Sequence, residues 1–233
     1  MVTDRLPHPL RSDARDNRDR LLDAARTVFA EHGLDAPMRD VARRAGVGPA
    51  TLYRHFPTKE VLVTEAFADQ MRACEVIVGK GLADEDPWRG FRSMLEELCV
   101  LHAASLGFTA AFMSAYPKAM DFAAARARAM DALAELTARA KRTGHLRPDV
   151  VVDDVILLLM ANSGVRTTSP AAATAAARRF AALAAQALRA SRDTRPLPPP
   201  GQLAPLASLP RPSTEAAVPT PMGGFPVTDR PVS

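Results

Sequence analysis

The residues between positions 37 and 59 carry side chains whose types and spacing suit the binding of nucleic acid. Five of them are basic against a single acid, Asp40: Arg39, Arg43, Arg44, Arg54 and Lys59. Hydroxyl groups, an aromatic ring and cations on one surface suit phosphate oxygens and the edges of bases. A solvated basic face on an ordinary helical hairpin has the same charges, so charge alone leaves both interpretations open.

The spacing of apolar residues in this stretch predicts two short helices joined by a turn at 46–48. The apolar side of the first helix consists of Val41, Ala42 and Ala45. Glycine tolerates the left-handed backbone that a helix end needs, and Pro49 fits the first position of the next helix. Leu52 and Phe56 lie four residues apart and are expected to face inward. The outer side is then formed by Thr51, Tyr53, Arg54 and His55.

The composition favours an all-α protein with a sizeable core. Only 5% of the 233 residues are aromatic although 47% are hydrophobic, so alanine, leucine, valine and methionine must fill the interior. An alanine-rich composition favours helices. The net charge of +4 is mild, and the basic excess is concentrated in the 37–59 stretch. Such a chain is expected to be basic at one place only.

The N-terminal part of the chain is predicted to contain an arm and a helix-turn-helix domain. Residues 1–12 are polar and are expected to be a flexible arm. The first helix is expected to begin between positions 13 and 19, and Gly33 should end it. The DNA-binding domain is predicted over 13–60, with a connecting fourth helix over 58–78.

The remainder of the chain is predicted to be a helical domain followed by a tail. Gly79 and Gly81 are expected to end the fourth helix. Residues 61–191 should form a second helical domain. Residues 192–233 hold 11 of the 20 prolines and little hydrophobic periodicity, which predicts a disordered tail.

The segment AGVGPATLYRHFPTKEVL, preceded by DRLLDAARTVFAEHG, resembles the DNA-binding domain of the TetR family of transcriptional regulators. The resemblance covers roughly residues 17–67. It implies that the helix over 48–56 lies in the major groove of DNA, with two such helices reading the halves of a palindrome. It also implies an all-α fold with an N-terminal three-helix domain and, over 61–191, a C-terminal ligand-binding (effector) and dimerisation domain.

The resemblance also assigns roles to individual residues. Thr51, Tyr53, His55 and Lys59 match positions that contact phosphate or sugar, and Arg39 and Arg43 are placed to touch the backbone on the flank. The full predicted DNA-binding set is Arg39, Arg43, Val47, Gly48, Pro49, Ala50, Thr51, Tyr53, Arg54, His55 and Lys59. Positions 48–50 carry no side-chain donors here, whereas many members have longer polar residues there. Specificity would then depend on Arg54, thymine methyl groups and DNA shape.

An apolar cluster after Trp88 is the predicted site for a small apolar or amphipathic effector. Its members are Met94, Leu98, His102, Phe108, Phe112, Met113, Tyr116 and Met120. Methionine and aromatic side chains adapt to ligands, and the resemblance implies an effector domain here. The same pattern is typical of a solid helical core, in which a lone histidine such as His102 is more often hydrogen-bonded within the core than a ligand contact.

A homodimer through about 148–191 is predicted because the segment VILLLMA at 155–161 is apolar around its whole circumference. One subunit alone would struggle to cover it. Pro148 and Asp149 are expected to open this helix, and Pro170 the last one.

These features together predict a homodimeric transcriptional repressor of a palindromic operator that a small molecule releases. An activator, a DNA-binding regulator without a ligand and a helical interaction protein remain as alternatives. No catalytic motif is present, and no cofactor or metal is expected. Cys74 and Cys99 lack metal-ligand spacing and are expected to be reduced core thiols. Without a signal peptide or an apolar membrane span, the protein is predicted to be cytoplasmic.

Overall fold

The computed structural model describes residues 9–113, 120–191 and 195–200, and within these ranges the chain forms ten α-helices and no β-strand. The helices are α1 (Pro9–His32), α2 (Met38–Ala45), α3 (Pro49–His55), α4 (Lys59–Ala66), α5 (Ala68–Ala83), α6 (Pro87–Ala104), α7 (Leu106–Met113), α8 (Met120–Arg142), α9 (Val152–Ser163) and α10 (Pro170–Ala187). The all-α prediction is confirmed.

The first helix begins earlier than predicted. It starts at Pro9, so residues 9–12 of the expected arm belong to α1, and residues 1–8 lie outside the described residues. Proline is tolerated at a first helical position because its missing N–H would have no helical partner there. The end of α1 is as expected: Gly33 has φ +73° and its N–H donates to the carbonyl of Phe29 at 3.0 Å.

The predicted fourth helix is two helices, α4 and α5, because the helical conformation is interrupted at Phe67. No proline or glycine stands at this point, so local sequence does not explain the break. The Phe67 side chain is fully buried, with its ring 6.4 Å from that of Phe29 and 6.2 Å from that of Phe108. We attribute the break to this packing between two distant parts of the chain.

The prediction that Gly79 and Gly81 end this helix was wrong, since α5 continues through both to Ala83. Gly81 instead lies where α5 meets α6. A Cβ atom at Gly90 of α6 would overlap the carbonyl oxygen of Gly81, and one at Gly81 would lie 3.0 Å from the Cβ of Met94. The two glycines therefore allow two helix backbones to approach closely.

Helix α6 is the centre of the C-terminal domain and packs against α5, α8, α9 and α10. Phe91, Leu95 and Cys99 of this helix are completely buried. Asn162 of α9 is also buried, and its side-chain amide donates to the carbonyl of Cys99 at 2.8 Å. Since a buried amide needs a partner, this bond fixes α9 against α6.

The chain after α10 departs from the predicted disordered tail. Residues 195–200 are described, and the Arg147 guanidinium donates to the carbonyl of Arg195 at 2.7 Å. Residues 192–194 and 201–233 lie outside the described residues. Helix α9 also begins at Val152 rather than at Pro148, so Asp149 precedes the helix. Among the described helices, none is long and apolar enough to cross a membrane.

Candidate nucleic-acid interface

The turn between α2 and α3 has the geometry that the glycines predicted. Gly46 has φ 69° and ψ 31°, the left-handed conformation, and the N–H of Val47 donates to the carbonyl of Ala42 at 3.0 Å. Gly48 is the N-cap of α3 and Pro49 occupies its first turn. This part of the prediction is confirmed. It could be made from the sequence because each step depends on neighbouring residues.

Helix α3 is held from one side and exposed on the other. Leu52 and Phe56 are completely buried, as predicted. Pro49, Ala50 and Arg54 are exposed, Tyr53 is 51% exposed, and Thr51 and His55 are half-buried. The exposed side therefore presents a phenol, a guanidinium and two small residues. The small residues would let the helix approach a groove closely.

The Arg54 side chain has a defined position on this surface. Its Nη2 donates to the hydroxyl of Thr51 at 3.1 Å, one turn earlier in the helix. A guanidinium that is already oriented loses less rotamer entropy on binding. Arg54 is the longest charged side chain on α3, and the bond to Thr51 directs its guanidinium towards the start of the helix.

The basic residues of α2 differ in their surroundings. Arg39 and Arg43 are exposed, and Arg43 forms an ion pair with Asp40 at 3.1 Å while its side chain remains 79% exposed. Arg44 instead pairs with Glu31 of α1 at 3.0 Å. Because exposed ion pairs are weak, Arg43 can exchange its partner for a phosphate at little cost. Lys59, the first residue of α4, is half-buried.

Three arginines of α1 that were not among the predicted functional residues attach this helix to the others. Arg18 forms an ion pair with Glu65 and lies over the ring of Phe56 at 5.4 Å. Arg20 donates to the carbonyl of Ala45 at 2.6 Å, and Arg26 to that of Ala66 at 2.7 Å. Arg18 and Arg26 flank buried Leu22 at four-residue spacing, which is the signal that could have identified them.

The predicted effector cluster is partly assembled in the structure. Met94, Leu98, His102, Phe108 and Phe112 are all buried. The ring of His102 lies 5.1 Å from that of Phe108 and 6.2 Å from that of Phe112. Tyr116 lies outside the described residues, as do the side chains of Met113 and Met120. Three aromatic members are thus in contact at the junction of α6 and α7.

His102 has one ring nitrogen with a partner and one without. Its Nδ1 lies 2.8 Å from the hydroxyl of Thr109, whereas its buried Nε2 has no hydrogen-bond partner within the described residues. Burial lowers the pKa of His102 to about 4, so the ring is neutral near pH 7. An unpaired buried ring nitrogen costs free energy that a polar atom on a bound molecule would recover.

A series of aromatic contacts joins this cluster to α1. The ring of Phe108 contacts that of Phe67 at the α4–α5 break, and Phe67 contacts Phe29 of α1. Gly107 adds a second contact, since a Cβ there would lie 2.9 Å from the Phe67 ring and 3.3 Å from the backbone of Ala30. A change of packing around His102 can therefore reach α1 through residues that touch one another.

The two cysteines are free and buried, as predicted. Burial raises the pKa of both the Cys74 and the Cys99 thiol to about 12. Thiols in this state are poor nucleophiles and poor metal ligands. No group of histidine, cysteine or carboxylate side chains within the described residues could hold a metal ion.

Two stretches of the chain match families of transcriptional regulators. Residues 21–66 match the family described as bacterial regulatory proteins, tetR family. Residues 86–190 match the C-terminal domain of SbtR-like transcriptional regulators. The first match covers the second half of α1 together with α2, α3 and α4, and the second covers the helices from α6 to α10.

Individual proteins of known sequence or structure are similar as well. A TetR transcription regulatory protein from Mycobacterium vanbaalenii, known from its crystal structure, is 34% identical over 78% of this chain and 100% of its own, with a TM-score of 0.43. The structure of the ketosteroid transcriptional regulator KstR2 of Mycobacterium tuberculosis has a TM-score of 0.58 at 20% identity, over 75% of this chain and 95% of its own. The latter similarity shows the fold.

The similarity to curated relatives is confined to a short stretch of the chain. The HTH-type transcriptional repressor KstR2 of Mycolicibacterium smegmatis is 44% identical over 59 residues, which are 25% of this chain and 29% of the relative. In the curated relatives the aligned stretch spans between a quarter and about a third of their own length.

Proposed function

The chain belongs to the TetR family of DNA-binding transcriptional regulators, and we propose that it is a homodimeric repressor of a palindromic operator that a small molecule releases. The observation that carries the proposal is helix α3, buried through Leu52 and Phe56 and exposed at Tyr53 and Arg54. Repression is supported by the similarity to a protein named as a repressor. The family is not one of enzymes.

We propose that α3 enters the major groove with its small residues nearest the bases. Val47, Gly48, Pro49 and Ala50 allow close approach, and Arg54 is the residue best placed to read a base edge. Contacts to phosphate are assigned to Thr51, Tyr53, His55, Lys59, Arg39 and Arg43. Phosphate contacts position a protein on DNA, whereas base contacts specify the sequence.

The experiment that tests operator binding uses DNA from upstream of the protein's own coding region. Footprinting should show protection of a palindrome, and Arg54→Ala should weaken binding to that site more than to unrelated DNA. Arg39→Ala is the matched control, because an exposed arginine at the flank should lose affinity equally for all sequences. Equal losses for both variants on both DNAs would remove Arg54 from base recognition.

The dimer is supported by apolar surface left uncovered on the last two helices. Leu157 of α9 is 51% exposed and Leu183 of α10 is 55% exposed, although neighbouring Val155, Ile156 and Leu159 are buried. A second copy of α9 and α10 would cover this surface and form a four-helix interface. It would also present two copies of α3 to successive halves of a palindrome.

The replacement Leu157→Asp tests this interface. Val76→Asp is the matched control, because Val76 of α5 is similarly exposed, at 55%, but lies outside α9 and α10. Light scattering at micromolar concentration should show a dimer for the wild type and the control and a monomer for Leu157→Asp. A monomeric wild type would refute the dimer.

We propose that the effector binds at the junction of α6 and α7 and acts through Phe67. A ligand that repacks Phe108 and His102 would shift the α4–α5 junction and with it the spacing of the two α3 helices. The ligand must prefer one state by a few kcal/mol to change operator affinity usefully. His102→Leu removes the unpaired nitrogen and should weaken the binding of the effector. The affinity for the operator in the absence of effector should be unchanged.

A regulator without a small-molecule ligand is the second candidate. It is favoured by the dense packing of the predicted pocket, whose five members with described side chains are at most 4% exposed. Screening a library of apolar compounds by thermal shift separates the two. A compound that raises the melting temperature and lowers operator affinity supports release by effector, and binding without a change in affinity contradicts it.

A further inference from the structure

The chain remains attached to the C-terminal domain after α10 ends. Residues 188–190 run antiparallel to residues 145–147, and Leu146 and Arg189 form an isolated bridge. The N–H of Arg147 donates to the carbonyl of Leu188 at 3.0 Å, and that of Ala190 to the carbonyl of His145 at 2.8 Å. The end of α10 is thus tied to the connection between α8 and α9.

A second attachment follows at residues 195–197. The Arg147 guanidinium donates to the carbonyl of Arg195 at 2.7 Å, and the N–H of Leu197 donates to the Asp149 carboxylate at 2.8 Å. Arg147 and Asp149 also bind each other in a bidentate pair, with distances of 3.0 and 2.8 Å. Each member of the ion pair therefore also bonds the backbone of residues 195–197.

The ion pair is built to hold these contacts. Arg147 is only 8% exposed, and a guanidinium removed from water needs all of its acceptors. The Arg147 guanidinium, and after it the Leu197 N–H, hold the pKa of the Asp149 carboxyl far below its usual range. The acceptor for Leu197 is therefore charged at every pH at which the protein would work, and a charged acceptor strengthens the hydrogen bond.

The sequence of residues 195–200, Arg-Pro-Leu-Pro-Pro-Pro, fits this role. Proline has no backbone N–H and restricts the chain to extended conformations, so little entropy remains to be lost on docking. Leu197 is the only residue between 196 and 200 with a backbone N–H, and that N–H is the one bonded to Asp149.

We propose that residues 195–197 form a strap that fixes the segment before α9 to the chain that follows α10 and so holds the dimer surface in shape. Arg147 and Asp149 act as its positioning residues. These contacts lie directly before α9 and after α10 in the chain. The same two helices expose Leu157 and Leu183. The link to dimerisation rests on the dimer of the proposed function, whereas the strap itself does not.

Leu197→Pro tests the strap without touching the ion pair. It removes the only N–H in 196–200, whereas the control Leu197→Ala keeps the N–H and loses only a partly exposed side chain. In sedimentation equilibrium, Leu197→Pro should raise the dimer dissociation constant at least about fivefold, as expected for losing a hydrogen bond to a charged group, and Leu197→Ala should leave it near the wild-type value. A chain ending at residue 191 should resemble Leu197→Pro, and one ending at residue 200 should resemble the wild type.

Amide hydrogen exchange at Leu197, measured by NMR on the full chain, reads the strap independently of dimerisation. A protected amide that exchanges quickly after Asp149→Ala supports the strap, and fast exchange in the wild type overturns it. Protection combined with equal dimer dissociation constants for Leu197→Pro and Leu197→Ala overturns the link to the interface. A monomeric wild type with a protected amide overturns the proposed dimer and the link with it, while the strap stands.

Discussion

The head of the molecule (α1–α3) and its body (α5–α10) are built in different ways. In the head, the turn at Gly46, the cap at Gly48 and the start of α3 at Pro49 follow one another within four residues. In the body, the decisive contacts join residues far apart in the chain, such as Asn162 with Cys99. The comparison indicates that local signals determine the turn from α2 to α3, while the body depends on matched pairs of distant residues.

The largest expected effect is a loss of stability from a substitution in the body that leaves the residues of the head unchanged. Gly90→Ala places a Cβ against the carbonyl oxygen of Gly81, where no flexible side chain can give way. We expect the free energy of unfolding to fall by about 3 kcal/mol or more, as for other overpacked contacts between backbones. Urea unfolding followed by circular dichroism measures the loss.

Gly79→Ala is the matched control for Gly90→Ala. Gly79 lies in the same helix as Gly81, and a Cβ there would meet nothing within 4 Å. Alanine should therefore stabilise α5 by about 0.5–1 kcal/mol through helix propensity. Equal destabilisation by both substitutions would show that α5 and α6 do not meet at Gly81 and Gly90.

The second effect is a dependence of body stability on pH. Burial lowers the pKa of His102 to about 4, whereas an unfolded histidine has a pKa of about 6.5. Between these values the unfolded chain binds a proton that the folded chain does not. Stability is therefore full above about pH 6.5 and falls as the pH drops towards 4, by about 2–3 kcal/mol in all.

His102→Asn isolates this contribution because asparagine can still bond Thr109 but does not titrate. Denaturant unfolding at a series of pH values should give a shallower slope for the variant than for the wild type between pH 4 and 6.5. Parallel slopes would mean that His102 is protonated in the folded chain, contrary to its burial.

The smallest effect concerns the head and leaves the body intact. Tyr53→Ala removes a half-exposed ring from α3, so the free energy of unfolding should change by less than about 0.5 kcal/mol. Operator affinity should fall about tenfold and the salt dependence of binding should become less steep, if the phenol contacts phosphate. Fluorescence anisotropy across a salt series measures both.

Val76→Ala is the corresponding control in the body, since Val76 is similarly exposed but lies on α5. It should leave DNA binding unchanged. An undiminished affinity of Tyr53→Ala at every salt concentration would remove Tyr53 from the interface and reduce the functional contrast between head and body.

The same contrast explains what could be predicted from the sequence. The turn at Gly46 and the inward direction of Leu52 and Phe56 were predictable because the relevant residues are neighbours in the chain. The break at Phe67 was not, since it carries no local helix breaker and depends on Phe29 and Phe108.

The predictions that were wrong in the body concern residue types that serve two structural purposes. Gly81 has the sequence pattern of a helix end but allows the close approach of α6. Leu197 stands in a proline-rich stretch that is typical of disorder, and its partner Asp149 is 48 residues away. Neither partner can be identified from one sequence, because the contact exists only after the helices have packed.

The most direct test of the account is the stoichiometry of the protein on its operator. Sedimentation velocity with a labelled palindrome, a single half-site and a scrambled duplex of equal length should show two chains on the palindrome at low nanomolar to micromolar concentration. Binding should weaken steeply with salt and be weaker on the other two duplexes. One chain per palindrome, or equal affinity for all three duplexes, would contradict the account.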